Sequence, residues 1–360
     1  MASSSRKRAI VGVILGGRFV KTRGVKRLAE ANRKAGTNLY FFGTRDIDYK
    51  RRCINGTYYD PRKKQWRGKM FPMPHVLYVR GGTGSGVSRV VKRFDNLGIK
   101  RINALTGFNK GELFRHLQRD PDVQPYLPFT KTIDDPREAR SYIRGLGNVY
   151  IKACQGRRGM QVMKVVKVRH KGYRYSSSVI GNLVRGRAKH FKDMNKVLKR
   201  FFGDRKILVQ QGIDLVKVGN NGTVDLRAEL QRNKYGEIEI VAIPIRVGAK
   251  NSPISTHGDA YHFDDYLPKL FPKYSTDEIS ELKQRINEFL IKVYKSVEKC
   301  YGKFGEIGID FGLDRKGGIW LIECNAQSAK VSIDKAYGSK TVRRIYLNPL
   351  LYAKRLARKG

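Results

Sequence analysis

Asp310, Glu323 and Asn325 lie at the ends of two short apolar runs near the carboxyl terminus. The runs cover residues 307–313 and 319–324, and the five residues between them are of the types that favour a tight turn. A β-hairpin is therefore predicted, with Glu323 and Asn325 on one face and Asp310 brought beside them by cross-strand pairing. Two carboxylates and an amide oxygen suit Mg²⁺ or Mn²⁺. Ordinary polar strand ends are the alternative interpretation.

Lys152 lies in a second pattern that could bind phosphate. It belongs to a predicted strand over residues 149–153, which runs into a loop containing Gly156 and Gly159. A lysine acts as a point charge on phosphate, and glycines allow backbone N–H groups to approach phosphate oxygens. The segment predicts a phosphate clamp, with a surface lysine before a β-turn as the alternative.

A glycine-rich segment over residues 81–86 follows a predicted strand and precedes a predicted helix. Val87 stands where a dinucleotide-binding fingerprint needs its third glycine, and no acidic residue follows at the required distance. The segment also lacks the Gly-Lys-Ser/Thr ending of a P-loop. Neither a Rossmann cofactor site nor a P-loop is predicted here.

The charge of the chain indicates an anionic partner. It carries 74 Lys and Arg against 31 Asp and Glu, a formal net charge of +43 in 360 residues. Such a field attracts nucleic acid, acidic polymers and anionic surfaces without choosing among them. Because the basic residues run through the whole chain, they favour a generally basic surface over a dedicated nucleic-acid arm. The 40% apolar content is enough for a large core in two or three lobes.

The four cysteines are Cys53, Cys154, Cys300 and Cys324, and they are too far apart for a zinc motif or a disulfide framework. They fit a reducing, cytoplasmic setting. The apolar run at residues 9–15 is read as a first buried strand and not as a signal peptide, since no small-residue cleavage site follows it. No stretch approaches the length of a membrane span.

The first hundred residues alternate strand and helix signals and predict a small α/β domain. Three prolines within residues 120–128 mark a boundary. The later segments predict further strands and helices. Predicted strands there cover 149–153, 161–168, 207–211, 223–232 and 237–247, and predicted helices cover 109–118, 136–146 and 276–300.

The order of these motifs resembles the ATP-grasp superfamily, in particular the YheC/YheD-type proteins associated with the endospore coat. The resemblance is carried by Lys152 and its loop, the strand at 207–213, Asp225-Leu-Arg227 and the Asp310 hairpin. In the first half, residues 56–60, 71–80 and 126–130 are similar to landmarks of that group. The match spans roughly residues 10–345.

The resemblance implies an α+β fold with an α/β N-terminal lobe, in which ATP lies between two antiparallel-sheet subdomains. Residues 1–105 would form the N-terminal domain. Residues 106–210 and 211–345 would form the two ATP-grasp subdomains, and 346–360 a basic tail.

The same resemblance implies roles for individual residues. Lys152 and Lys110 would contact phosphates, with Gly156 and Gly159 in the loop folded over them. Asp310, Glu323 and Asn325 would bind magnesium. Arg227 and Arg246 would neutralise the γ-phosphate or a substrate carboxylate, and simple surface charge is their alternative interpretation. The residues that would hold adenine and ribose are Gln210, Gln211, Ile213 and Asp214.

The implied chemistry is amide formation through an acyl phosphate, and the positive field favours an acidic small molecule, peptide or polymer as the acceptor. The sequence departs from the family after Asn325, where Ala-Gln-Ser-Ala-Lys330 replaces the usual proline, and at 254–260. Both segments would border the acceptor. Two alternatives remain: an ATP-binding coat-associated or structural protein without turnover, and a non-specific nucleic-acid binder.

Overall fold

The computed structural model describes residues 8–156, 161–179, 182–218, 222–250 and 258–358, which form three sheets and their covering helices. The predicted Gly159 and the residues 251–257 lie outside the described residues. Within the described chain, no helix has both the length and the apolar character needed to cross a bilayer.

The first sheet has a parallel centre and an antiparallel edge. Its strands are β1 (Ile10–Ile14), β2 (Asn38–Phe42), β3 (Ile47–Asp48), β4 (Cys53–Asp60), β5 (Gln65–Pro72), β6 (Val76–Val79) and β7 (Lys100–Arg101). Strands β2, β1, β6 and β7 run parallel, whereas β3, β4 and β5 pair antiparallel. Helices α1 (Arg23–Ala35) and α2 (Ser85–Asn96) pack on it, so the predicted α/β lobe is present.

The second sheet is antiparallel throughout, in the order β12-β11-β10-β9-β13-β8. Its strands are β8 (Thr130–Ile133), β9 (Asn148–Ala153), β10 (Val162–Val168), β11 (Gly172–Val179), β12 (Asn182–Ala188) and β13 (Ile207–Gln211). Helices α4 (Ala139–Leu146) and α5 (Phe191–Phe202) cover its apolar face. Helix α3 (Lys110–Leu117) and 3₁₀ turns at Gln124–Tyr126 and Pro136–Glu138 complete this part.

The third sheet carries the predicted hairpin and is also antiparallel, in the order β18-β17-β15-β19-β20. Its strands are β14 (Lys217–Val218), β15 (Gly222–Arg232), β16 (Ile238–Ala242), β17 (Ile245–Lys250), β18 (Asp259–Tyr261), β19 (Glu306–Leu313) and β20 (Ile319–Asn325). The remaining helices are α6 (Phe263–Leu270), α7 (Thr276–Tyr301), α8 (Val331–Ala336) and α9 (Ser339–Arg358).

Helix α7 is the main cover of the third sheet. Ser275 and Glu278 form a capping box that satisfies the first N–H groups of the helix. Apolar residues then recur at helical spacing, and Ile286, Phe289 and Val293 are fully buried against the apolar face of the sheet. The opposite face of the sheet is thereby left to the polar residues of the site.

Two expectations differ from the structure. The strand predicted over 237–247 is divided into β16 and β17, which both pair with β15. The division falls at Pro244, which has no N–H to donate to a ladder and whose carbonyl accepts from the Arg227 backbone N–H. The basic tail predicted over 346–360 is instead, through residue 358, the second half of α9, with Tyr346 and Leu350 buried against the first sheet.

A buried charge cluster joins the first and third sheets. Lys330 contacts the carboxylates of Glu229 and Glu306, the latter at 2.8 Å. Arg80, at the end of β6, donates to Glu306 Oε1 at 2.8 Å and to the Ser328 carbonyl at 3.1 Å. Burial opposes ionisation of Glu306, but Lys330 and Arg80 hold its pKa below the usual range.

Lys330→Met should lower the free energy of unfolding by about 3–5 kcal/mol, because removal of one partner leaves buried charges unpaired. Urea unfolding followed by fluorescence measures this. Lys340→Met is the control, since Lys340 is exposed and should change stability by no more than about 0.5 kcal/mol. Equal losses in the two variants would contradict the role of the cluster.

Candidate functional site

The hairpin that contains Asp310 is formed by β19 and β20, with Asp310 opposite Glu323 and Gly308 opposite Asn325. The Asp314 side chain closes its turn by accepting from the backbone N–H groups of Lys316 and Gly318, both at 2.9 Å. The predicted hairpin is therefore present. Its register places the two carboxylates side by side on the face opposite α7, with Asn325 two pairs further along and on the same face.

Two arginines surround Asp310. Arg227 lies opposite it on β15 and contacts both carboxylate oxygens, with Nη2 to Oδ2 at 2.6 Å. Arg246 lies on β17, and its Nη2 is 3.1 Å from Asp310 Oδ1. Burial alone would raise the pKa of Asp310, but Arg227 and Arg246 hold it below the usual range. Asp310 is thus ionised, as a metal ligand must be.

Lys152 and Gln210 present a second set of polar groups from the second sheet. Lys152 Nζ is 2.5 Å from Gln210 Oε1, and Gln210 Nε2 donates to Thr130 Oγ1 at 3.0 Å. Burial lowers the pKa of Lys152 to about 8, the Glu323 carboxylate opposes this effect, and Lys110 adds to it. Lys152 therefore interacts electrostatically with Glu323 of the hairpin and with Lys110, and burial disfavours its charged form.

Lys110 connects the two sheets. It is the first residue of α3, whose preceding residue, Asn109, accepts from the N–H groups of Gly111 and Glu112 and fixes the start of the helix. The Lys110 side chain is buried, and its Nζ lies 3.4 Å from Glu323 Oε1. Of the predicted phosphate and metal residues, Lys110, Lys152, Asp310 and Glu323 therefore share one space between the sheets.

The predicted adenine and ribose residues lie in and after β13. The Gln211 backbone N–H donates to Phe129 at 2.8 Å, and that of Gly212 donates to Asn148 at 2.9 Å. Both donors are thus engaged within the protein. Asp214 is exposed and forms ion pairs with Lys217 and Arg315. Ile213 lies between these residues, partly buried. Gly156 is exposed at the start of the loop.

The donor set of the hairpin fits Mg²⁺. Within the described ranges, no three His, Cys, Asp or Glu side chains cluster as a metal site. The hairpin instead offers two carboxylates and one amide oxygen. Magnesium keeps several waters and takes only one or two carboxylates together with phosphate oxygens, so this small oxygen set suits it.

Sequence reasoning named Asp225 only within the motif Asp225-Leu-Arg227, without a role of its own, and it missed the charge cluster around Lys330. Asp225 accepts from Arg246 Nε at 2.6 Å and Nη2 at 2.7 Å. Its spacing of two from Arg227 places both on one face of β15, a signal that the sequence contained. Lys330 and Glu306 offered no comparable signal, because Glu306 meets Lys330 and Arg80 only through long-range packing.

Binding of a polyphosphate such as ATP should be coupled to proton uptake above pH about 8, since a nearby anion raises the lowered pKa of Lys152. Well below that pH the lysine is already charged, so proton uptake by Lys152 should vanish. Calorimetry in buffers of different ionisation enthalpy measures the protons taken up. Lys152→Met should remove the pH-dependent part, and a wild-type uptake that persists in this variant would contradict the assignment.

Comparisons with known proteins identify the family and the fold. The YheC/D like ATP-grasp family matches residues 98–356. Endospore coat-associated protein YheD of Bacillus subtilis (strain 168) is 24% identical over 319 residues, covering 84% of this chain and 67% of that protein. YheC of the same strain is 22% identical over 237 residues, covering 62% and 61%.

A solved structure of the ATP-grasp ligase PsnB, complexed with a phosphomimetic variant of its minimal precursor, Mg and ADP, has a TM-score of 0.56. It is 12% identical and the alignment covers 97% of this chain and 100% of that one. This likeness confirms the predicted α+β ATP-grasp fold. The family match extends over more than half of the residues, so the chain belongs to the YheC/D-like ATP-grasp family.

Proposed function

We propose that the protein is a Mg·ATP-dependent carboxylate–amine ligase that forms an amide through an acyl phosphate. The observation that carries the proposal is the meeting of Lys110 and Lys152 with the Asp310 and Glu323 carboxylates between two sheets. PsnB, which shares the fold, is a ligase solved with Mg and ADP. Lysines beside a hard-oxygen metal site suit a metal–triphosphate complex.

The residues divide into three groups by role. Lys110 and Lys152 bind phosphate oxygens, with Gly156 and Gly159 in the covering loop. Asp310, Glu323 and Asn325 would hold magnesium, which would offset phosphate charge when bound. The adenosine side is assigned to Gln210, Gln211, Ile213 and Asp214. Because the N–H of Gln211 is already engaged, adenine contacts in this segment fall to its remaining backbone groups.

The reaction needs positioning and charge neutralisation more than a nucleophilic side chain. A substrate carboxylate oxygen forms a bond to the γ-phosphorus while the bond to the ADP oxygen breaks. An amine then attacks the acyl carbon, the amide forms, and phosphate and a proton leave. Arg227 and Arg246 would offset the negative charge of the phosphoryl group and the substrate carboxylate.

An acidic peptide or polymer is the proposed acceptor, and a small acidic molecule belongs to the same class. The support is the net charge of +43, which raises the local concentration of anions around the protein. PsnB was also solved with a precursor peptide, which supports a peptide as the acceptor.

A second candidate, ATP binding without turnover at the endospore coat, is favoured by the name of YheD. The proposed location is the cytoplasm, with association to the endospore coat. A sequence-independent interaction with nucleic acid rests on charge alone.

The reaction class can be tested by trapping. With Mg·ATP, an acidic peptide and hydroxylamine, the wild-type protein should yield a hydroxamate together with ADP and phosphate. Asp310→Asn and Glu323→Gln should reduce the product at least about 100-fold, since each removes a metal-binding charge. Lys340→Ala, at an exposed position, should leave it unchanged.

The trapping result also separates the candidates. Nucleotide binding with no hydroxamate across a panel of acids would favour the non-catalytic alternative. AMP and pyrophosphate in place of ADP and phosphate would show adenylation of the acid and would contradict the acyl-phosphate route.

Affinity for a polyglutamate peptide should fall steeply as salt rises from about 50 to 500 mM, because surface charges are screened over about 10 Å at 0.1 M. Fluorescence anisotropy with a labelled peptide measures this, with an uncharged polyglutamine peptide as control. A flat response would show that the charge does not attract the acceptor. Competition by duplex DNA in the same assay tests the nucleic-acid interaction.

A further inference from the structure

Two rows of charged side chains cross the face of the third sheet that carries the site. In one row Arg246 of β17 lies opposite Asp225 of β15. In the next row Arg227 of β15 lies opposite Asp310, which in turn lies opposite Glu323. The side chains of the two arginines, Asp225 and Asp310 are between 9% and 13% exposed, so each charge depends on its neighbours.

The Asp310 carboxylate is saturated with donors. Arg227 Nε and Nη2 each contact one oxygen, Arg246 Nη2 lies 3.1 Å from Oδ1, and Asn325 Nδ2 lies 3.3 Å from Oδ2. An ionised carboxylate offers about four lone-pair sites. A cation can therefore bind Asp310 only by displacing one of these donors.

The two arginines differ in what holds them. Arg246 forms a fork with Asp225, at 2.6 and 2.7 Å, and adds a single longer contact to Asp310. Among the described residues, Asp310 is the only carboxylate paired with Arg227. Loss of the contact to Asp310 would leave Arg246 anchored, whereas the same loss would free the whole guanidinium of Arg227.

We infer that metal binding exchanges Arg227 away from Asp310, and that Asp225 is a positioning residue that keeps Arg246 in place during the exchange. The inference deepens the proposed function: the released guanidinium of Arg227 is the one that turns to the phosphoryl group, in the same event that brings the metal. Arg246 remains a fixed cation at the edge of the site. The two arginines thus have different roles although both contact Asp310.

Mn²⁺ affinity without nucleotide tests the exchange, measured by electron paramagnetic resonance up to 10 mM metal. Arg227→Lys keeps the charge but removes the fork on Asp310. It should therefore bind Mn²⁺ about tenfold more tightly, since the metal no longer competes with the charge-assisted hydrogen bonds of that fork. Arg246→Lys is the matched control and should gain less, because its fork engages Asp225. Glu323→Gln should bind more weakly than wild type and thereby locates the metal at the hairpin.

Arginine Nε–H resonances, assigned with the two lysine variants, follow each side chain directly. On adding Mg²⁺, the Arg227 signal should shift while that of Arg246 stays. In Asp225→Asn, Arg246 has lost its anchor, and the signals of both arginines should shift. The inference is overturned if Arg227→Lys binds Mn²⁺ no more tightly than wild type does, or if neither protein binds it detectably. It is also overturned if Arg246→Lys gains as much Mn²⁺ affinity as Arg227→Lys.

Neither measurement involves substrate or turnover. Failure of the hydroxamate assay with a tenfold gain in Arg227→Lys would refute the proposed ligase function and leave the exchange standing. A positive hydroxamate assay without that gain would support the ligase function and refute the exchange.

Discussion

The pairing of Asp310 with Arg227 across β15 and β19 is the interaction on which the rest of the site depends. Without a neighbouring cation, a buried carboxylate would become protonated or move to the solvent. A buried guanidinium likewise requires a carboxylate to offset the cost of its desolvation. Their register fixes the strand pair, because a slip by one residue would turn Asp310 toward the apolar face covered by α7. The same register then sets Glu323 and Asn325 on β20.

Glycine at position 308 lets the chain after the hairpin return over this face. A Cβ there would lie 2.5 Å from Ser328 Oγ, closer than two such atoms approach. Residues 326–330 therefore pack directly on β19. They are held there by Lys330, by the Arg80 contact to the Ser328 carbonyl, and by Gln327, which bonds both backbone groups of Gly82. The segment where the sequence departs from the family thus joins the hairpin to the first sheet.

The sequence could predict what depends on short-range patterns. Alternation and turn residues were enough for the hairpin and the strand of Lys152, and the order of motifs was enough for the fold. Long-range contacts left no such trace. The meeting of Lys110 with Glu323 depends on how two sheets pack, and the helix that replaces the predicted tail is buried only because the first sheet lies beneath it. The division at Pro244 is an intermediate case, since the proline was visible but its pairing was not.

The charge of the site differs from that of the whole chain. Four cationic side chains, Lys110, Lys152, Arg227 and Arg246, face three carboxylates, Asp225, Asp310 and Glu323, so the site is nearly balanced while the protein carries +43. Attraction of a distant anion is therefore a property of the surface. Within the site, a metal ion alone would add to a cationic excess, and a triphosphate alone would face three carboxylates. Together the two largely cancel, so the nearly balanced site favours metal and polyphosphate as one unit over either alone.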